Sequence, residues 1–174
     1  MVTHAASRIV TRRLVLVALI GFLSVQPASA QLIDSVLLRG VSSIFVDPSL
    51  SVVRAAHECV DEDMLRASAE LILRRSGITV TGPGDPQAHV FEIAVTGVPP
   101  TRDGYGCAVA YTFELWRREP LRSRAATGIV VSFVRSGIVV RGSPYDMREE
   151  LRQLTNRHTT TLANEILKAR QPGS

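Results

Sequence analysis

Three segments in close succession alternate apolar and polar side chains, and they constrain the fold more than anything else in the chain. His89 to Val98 places Phe91, Ile93 and Val95 on one side. Gly106 to Trp116 does the same with Val109, Tyr111, Phe113 and Leu115, and Ala125 to Val134 with Ile129, Val131 and Phe133. A period of two belongs to strands with one buried and one open face, so the chain is committed to a sheet covered on one side. Each segment contributes one phenylalanine, and in register Phe91, Phe113 and Phe133 make an aromatic layer beneath a packed helix.

Two helices of the right kind are present. Asp61 is placed to cap the first, with Glu62 and Asp63 in its opening turn and Leu65, Ala69, Ile72 and Leu73 at helical spacing. Arg74-Arg75-Ser76-Gly77 ends it, with arginine complementing the carbonyl end and glycine free to turn left-handed. Ser143 opens the second, followed by Pro144 at its first position and Asp146 three residues after the cap. Its apolar stripe runs through Met147, Leu151, Leu154, Leu162 and Ile166, and Pro172-Gly173 closes it.

Shorter signals complete the order. Ser43 to Val46 reads as a strand stopped by Asp47-Pro48, Ile78 to Val80 as another, and Gly82-Pro83-Gly84-Asp85-Pro86 as a loop. Gly128-Ile129-Val130-Val131 recurs as Gly137-Ile138-Val139-Val140, and Arg135-Ser136-Gly137 between them reads as the tight turn of a β hairpin. The expected architecture is α+β: an antiparallel β-sheet of about four to five strands with two helices packed on one face, built from a single domain at residues 31–174. This order resembles small envelope modules such as the lipopolysaccharide-assembly lipoproteins and the N-terminal domain of the periplasmic propeller proteins of the Tol system. The resemblance is one of architecture, rests on no shared residue motif, and implies a fold without an activity.

Residues 1–30 read as a cleavable signal peptide. Arg8, Arg12 and Arg13 precede an apolar run from Leu14 to Leu23, and Ala28-Ser29-Ala30 supplies small residues before a cut at Gln31. The run is about ten residues, half of what a membrane-crossing helix needs, so no transmembrane segment is expected after cleavage. Thr11-Arg12-Arg13-Leu14-Val15-Leu16 looks like the twin-arginine pattern, but no Phe follows at the usual place, which favours general secretion. Gln31 stands where a lipoprotein carries cysteine. The expected location is periplasmic or secreted.

Three of the twenty basic residues belong to the signal and all sixteen acids follow it, leaving the mature chain a formal charge of +1. That removes the broad basic footprint of a nucleic-acid binder. Cys59 and Cys107 are the only cysteines. In an oxidising compartment they are expected to pair, closing a loop worth about 4 kcal/mol in the chain-entropy account.

Motifs for catalysis are sparse. His57, Cys59 and Cys107, with Glu58, Asp61, Glu62 and Asp63 nearby, hold the residue types of a zinc site or an activated thiol. The spacing matches no standard zinc pattern, and oxidation of the thiols removes both chemistries. No Gly-x-Ser-x-Gly elbow, phosphate loop or Cys-x-x-Cys pair is present. His158 falls within the apolar stripe of the last helix and His89 opens a strand, both read as packed histidines.

The segment from Trp116 to Arg124 is the more suggestive one. Trp116, Arg117, Arg118, Arg122 and Arg124 surround the turn of a long hairpin, and guanidinium groups bind phosphates and carboxylates through paired donors. The bland reading of the same residues is a solvated hairpin end kept from aggregating by charge. The sequence therefore points to an exported, non-catalytic binding or assembly module of the cell envelope, without cofactor. Its expected partner is an envelope protein or an anionic lipid surface met through the arginine-rich tip. The alternative is an exported metal-binding protein or thiol enzyme using His57, Cys59 and Cys107. The oligomeric state is not legible in the sequence.

Overall fold

The computed structural model describes residues 31–52, 58–98, 106–120 and 127–171; the signal at 1–30 lies outside them. The chain runs β1 (Gln31–Ile33), α1 (Ser35–Leu38), β2 (Ser43–Val52), α2 (Glu62–Arg75), β3 (Thr79–Val80), β4 (His89–Val98), β5 (Cys107–Pro120), β6 (Thr127–Arg141) and α3 (Pro144–Ala169). Among the described residues the strands form one six-stranded sheet in the order β1-β6-β5-β4-β2-β3. The α+β class is as the sequence indicates, with more strands and a different pairing at one end.

That end is parallel: β2 runs alongside both β3 and β4, while β4-β5, β5-β6 and β6-β1 are antiparallel. The cause is α2. A helix between two strands carries the chain back to the starting edge, so the next strand runs in the same direction as the first. β2 also continues through Asp47-Pro48, where the sequence suggests a stop. Among the described residues β3 pairs only with Ser43 and Ile44, and beyond it no strand covers the outer side of β2, where the Arg66 guanidinium donates to the Val46 carbonyl at 3.2 Å; a residue without an N–H is tolerated on such an edge.

The helices form as their ends dictate. Asp61 accepts a hydrogen bond from the Met64 N–H at 2.9 Å, and Gly77 takes φ of 73° just beyond the last turn of α2. Ser143 caps α3 by accepting from the Asp146 N–H at 3.1 Å. α2 buries Leu65, Ala69 and Leu73, and α3 buries Met147, Leu151, Leu154, Leu162 and Ile166. Both lie against one face of the sheet, where Phe91, Phe113 and Phe133 are fully enclosed. The Phe91 ring stands 6.2 Å from Phe113 and 6.5 Å from Phe133. Each large side chain so enclosed contributes roughly 1.5–3 kcal/mol of apolar burial.

The third strand departs from expectation twice. It does not turn at Arg135-Ser136-Gly137; β6 is a single strand of 15 residues, and these three pair directly with Phe113, Thr112 and Tyr111 of β5. A partner 14 residues long holds the segment straight over its length. Its faces also change partway. Leu115 pairs with Phe133 but Trp116 with Val131, so Ser132 is an extra residue that inverts the alternation. Phe133 is buried while Ile129, assigned to the same face by period alone, is 65% exposed. Ser132 Oγ donates to the Leu115 carbonyl at 3.3 Å, which satisfies the hydroxyl at the bulge.

Residues 31–38 form β1 and α1 with Asp34 between them. Asp34 caps α1 by accepting from the Val36 and Leu37 N–H groups at 3.0 and 3.2 Å, and Leu38 is fully buried.

Candidate functional site

Strand alternation decides which arginines can act together. On β5, Trp116 and Arg118 face the open side of the sheet, and Arg117 and Glu119 face the helix side. Arg117 forms an ion pair with Glu119 and lies beside Gly40, where its Nη1 would be 3.5 Å from an added β-carbon. Arg118 is exposed and has neither hydrogen bond nor ion pair among the described residues. Arg122 and Arg124 lie outside the described residues. Alternation thus sets Arg117 on the face opposite Trp116 and Arg118 and pairs it with Glu119, while Arg118 has no ion partner among the described residues.

Trp116 and Arg118 border a groove of about 410 Å³ on the open face. Its floor is a row in register, Phe45 beside Val90 beside Trp116, and one wall is the loop Pro83-Gly84-Asp85-Pro86. A second groove of about 260 Å³ shares Pro86, Ala88 and Arg118 with it and continues past Gln87, Arg117 and Glu119, so that Arg117 and Arg118 both line it. Arg118 therefore stands between the two.

Hydrogen bonds fix this surroundings. Trp116 Nε1 donates to Glu92 Oε2 at 3.1 Å, which orients the indole. Asp85 holds its loop by accepting from the Gln87 N–H at 2.9 Å and from Ser43 Oγ at 3.3 Å. A row of carboxylates crosses the same face, Asp47 beside Glu92 beside Glu114. Burial, and then the charge on Glu92, push the Glu114 pKa up. The groove is thus mixed in charge: an aromatic and proline-walled trough with carboxylates on its floor and wall and one guanidinium at its mouth.

The residues that complete it, Phe45, Asp47, Val90 and Asp85, were not among the candidates read from sequence. They come from two further strands and a loop, and no local spacing joins them to Trp116. The Gly-Pro composition of residues 82–86 was the one available signal, and it marks a loop without marking a wall.

The other candidate centre is closed by its own chemistry. Cys59 and Cys107 are joined in a disulfide with Cα atoms 6.1 Å apart, and each is 2% exposed. Bonded so, neither sulfur is a thiolate that can attack or bind metal. His57 lies outside the described residues. Among the described residues no three His, Cys, Asp or Glu side chains converge as metal ligands.

The two histidines among the described residues, His89 and His158, are packed. His158 sits on the rings of Phe113 and Tyr111, with centroids at 4.9 and 5.9 Å. Burial, helped by Arg135 and Arg157, lowers its pKa to about 4. His89 is almost fully buried with Nδ1 unpartnered among the described residues, and burial followed by the Arg117 charge lowers its pKa.

No protein-family model matches this sequence. No curated protein matches it either. Solved structures do resemble its fold. A variant of the PelC dodecamer from Paraburkholderia phytofirmans is 21% identical, with 82% of this chain and 98% of that one covered and a TM-score of 0.46. A second PelC dodecamer structure from the same organism gives 17% identity, 79% and 95% coverage, and a TM-score of 0.44. The rare lipoprotein B from Shewanella oneidensis gives 14%, 71% and 92%, and 0.26. No helix among the described residues is long and apolar enough to cross a membrane.

Proposed function

We propose that this chain is an exported, non-catalytic binding module of the cell envelope, and that it meets an anionic group through the end of the sheet carrying Trp116 and Arg118. The observation that carries the reading is Arg118: an exposed guanidinium without an internal partner among the described residues, set between two grooves and beside an indole fixed by Glu92. A planar fork of donors in that position suits a phosphate or carboxylate. The carboxylates of the groove disfavour an anion deeper in, so contact is at the mouth, where Arg122 and Arg124 follow in sequence. The disulfide supports the exported part of the reading, because such bonds persist in oxidising compartments.

The test is fractionation of the exported protein with Arg118, Arg122 and Arg124 each changed to Glu. Loss of association with the envelope fraction is expected, together with loss of binding to vesicles containing anionic phospholipid if the group is a headgroup phosphate. Binding to such vesicles that persists unchanged, with unchanged fractionation, would falsify the reading. Loss of fractionation without vesicle binding in the parent protein identifies an acidic protein instead.

A further inference from the structure

Two rows of side chains cross the open face of the sheet at the groove. Phe45, Val90 and Trp116 stand side by side on β2, β4 and β5, and Asp47, Glu92 and Glu114 form the next row. Val90 is thus the floor of a trough with a ring on either side, because Phe45 and Trp116 are two strand spacings apart, about 10 Å between backbones. Arg118 and Asp47 lie at opposite ends of it. β2 runs parallel to β4 and β5 antiparallel, so Arg118, two residues after Trp116, is displaced one way along the groove and Asp47, two residues after Phe45, the other. Their backbones are roughly 16 Å apart on this diagonal.

Charge inside the trough is unbalanced. Asp47, Glu92 and Glu114 have no ion pair among the described residues, and the Asp47 carboxylate accepts no hydrogen bond from them either. Its neighbours are engaged: Glu92 accepts from Trp116 Nε1, and the two Asp85 oxygens accept from Ser43 Oγ and the Gln87 N–H. The raised pKa of Glu114, set by burial and then by Glu92, is the response of a row that has no cation of its own. A cation entering the trough meets the free carboxylate of Asp47 and the faces of two rings, a combination that binds ammonium groups. At the other end Arg118 calls for an anion.

We infer that the groove takes the phosphoethanolamine head group of a phospholipid, with the phosphate on Arg118 and the ammonium at Asp47, between the rings of Phe45 and Trp116. This rests on the anion-binding reading of Arg118 and names its ligand. The two-carbon link lies over Val90, and the long Arg118 side chain covers the rest of the diagonal. An α-amino acid carries its charges on adjacent carbons, too close together to reach both ends. A primary ammonium suits the site better than a trimethylammonium, because it has three N–H donors and Asp47 is an acceptor without a donor. The orientation also fits a membrane surface. In a bilayer the phosphate is nearer the acyl chains and the ammonium faces water, and the groove has its guanidinium at the mouth and its free carboxylate further in.

The test measures binding of the exported protein, its disulfide intact, to vesicles of phosphatidylethanolamine with a fixed fraction of phosphatidylglycerol, and to vesicles in which phosphatidylcholine replaces the phosphatidylethanolamine. Trp116 is the only tryptophan of the chain, so its emission reports occupation of the groove. The parent binds the ethanolamine vesicles roughly tenfold more tightly, and its emission shifts to the blue on those vesicles alone. Asp47→Asn removes the preference and leaves binding to choline vesicles unchanged, whereas Arg118→Glu weakens binding to both. Phe45→Leu, which keeps apolar bulk and loses the ring face, reduces the preference in a fold whose charges are intact. Equal binding of the parent to the two vesicles, or a preference that survives Asp47→Asn, overturns the inference; if that binding still needs Arg118, the anion-binding reading stands without it. Absence of binding to either vesicle also overturns the inference and leaves an acidic protein as the partner of Arg118.

Discussion

The ring of Tyr111 lies across Gly137, so that a β-carbon at position 137 would stand 2.6 Å from Tyr111 Oη and 2.8 Å from Cζ. The two residues are directly paired between β5 and β6. The missing side chain lets the phenol lie down against its neighbours, with the Phe113 ring at 5.5 Å and His158 at 5.9 Å. Both sequence and packing thus make residue 137 a place where an aromatic ring covers a glycine in mid-strand.

Gly137→Ala is therefore expected to cost about 1–3 kcal/mol, because the ring must leave a position set by its neighbours. Tyr111→Leu in the same chain should return much of that loss. Urea unfolding of the two single variants and the double variant measures the coupling. Additive effects would show that the ring and the glycine do not depend on each other.

Much of the fold was legible because its signals are local. Asp61, the acidic first turn and Gly77 delimit α2 within a single stretch of chain, and Ser143-Pro144 does the same for the start of α3. What was misread depends on partners distant in sequence. Arg135-Ser136-Gly137 has the composition of a turn, and only the Tyr111 ring explains why glycine belongs in a continuous strand. Ser132 carries no mark of a bulge, yet it decides that Ile129 faces solvent. Pro48 reads as a stop until β2 is known to have no strand beside it on its outer side at that position among the described residues. The site was legible in half. Alternation alone sets Arg117 and Arg118 on opposite faces, whereas Phe45, Asp47, Val90 and Asp85 reach Trp116 only through strand order.

Removing the disulfide tests how far it stabilises the fold. The two cysteines are 48 residues apart in sequence, for which loop-closure entropy gives about 4 kcal/mol. Cys59→Ser combined with Cys107→Ser should lower the denaturant midpoint accordingly. The parent protein in excess reductant should fall to the same value. A variant as stable as the parent would show that the open loop costs the unfolded chain nothing.

Glu92 and Glu114 face one another directly across β4 and β5, and like charges in that arrangement repel. Burial and Glu92 raise the Glu114 pKa, so the folded state holds its proton more tightly than the unfolded state does. The penalty is then absent below the unfolded pKa and complete above the folded one. Glu114→Gln should stabilise the protein at pH 7 by roughly 0.2–1 kcal/mol and lose that advantage in acid. Chemical unfolding of both proteins at pH 7 and pH 3.5 checks the sign, and a larger gain at the lower pH would contradict it.

His158 acts in the opposite sense. Its folded pKa of about 4 lies below the ordinary histidine value of 6.5, because burial against Phe113 and Tyr111, with Arg135 and Arg157 nearby, disfavours the imidazolium. Between those two values the unfolded chain binds a proton that the folded chain refuses. Stability is consequently lost as pH falls through that window and is unaffected above it. The full difference corresponds to about 3 kcal/mol, reduced by the ring's partial exposure to solvent. His158→Leu keeps an apolar side chain against Phe113 and removes the titration, so its stability should fall less than the parent's between pH 7 and pH 4, by about 2 kcal/mol. His89, also held neutral by burial, remains in both proteins and leaves a residual slope that the comparison cancels. Parallel pH profiles for parent and variant would place the acid sensitivity at other groups and return His158 to a purely packing role.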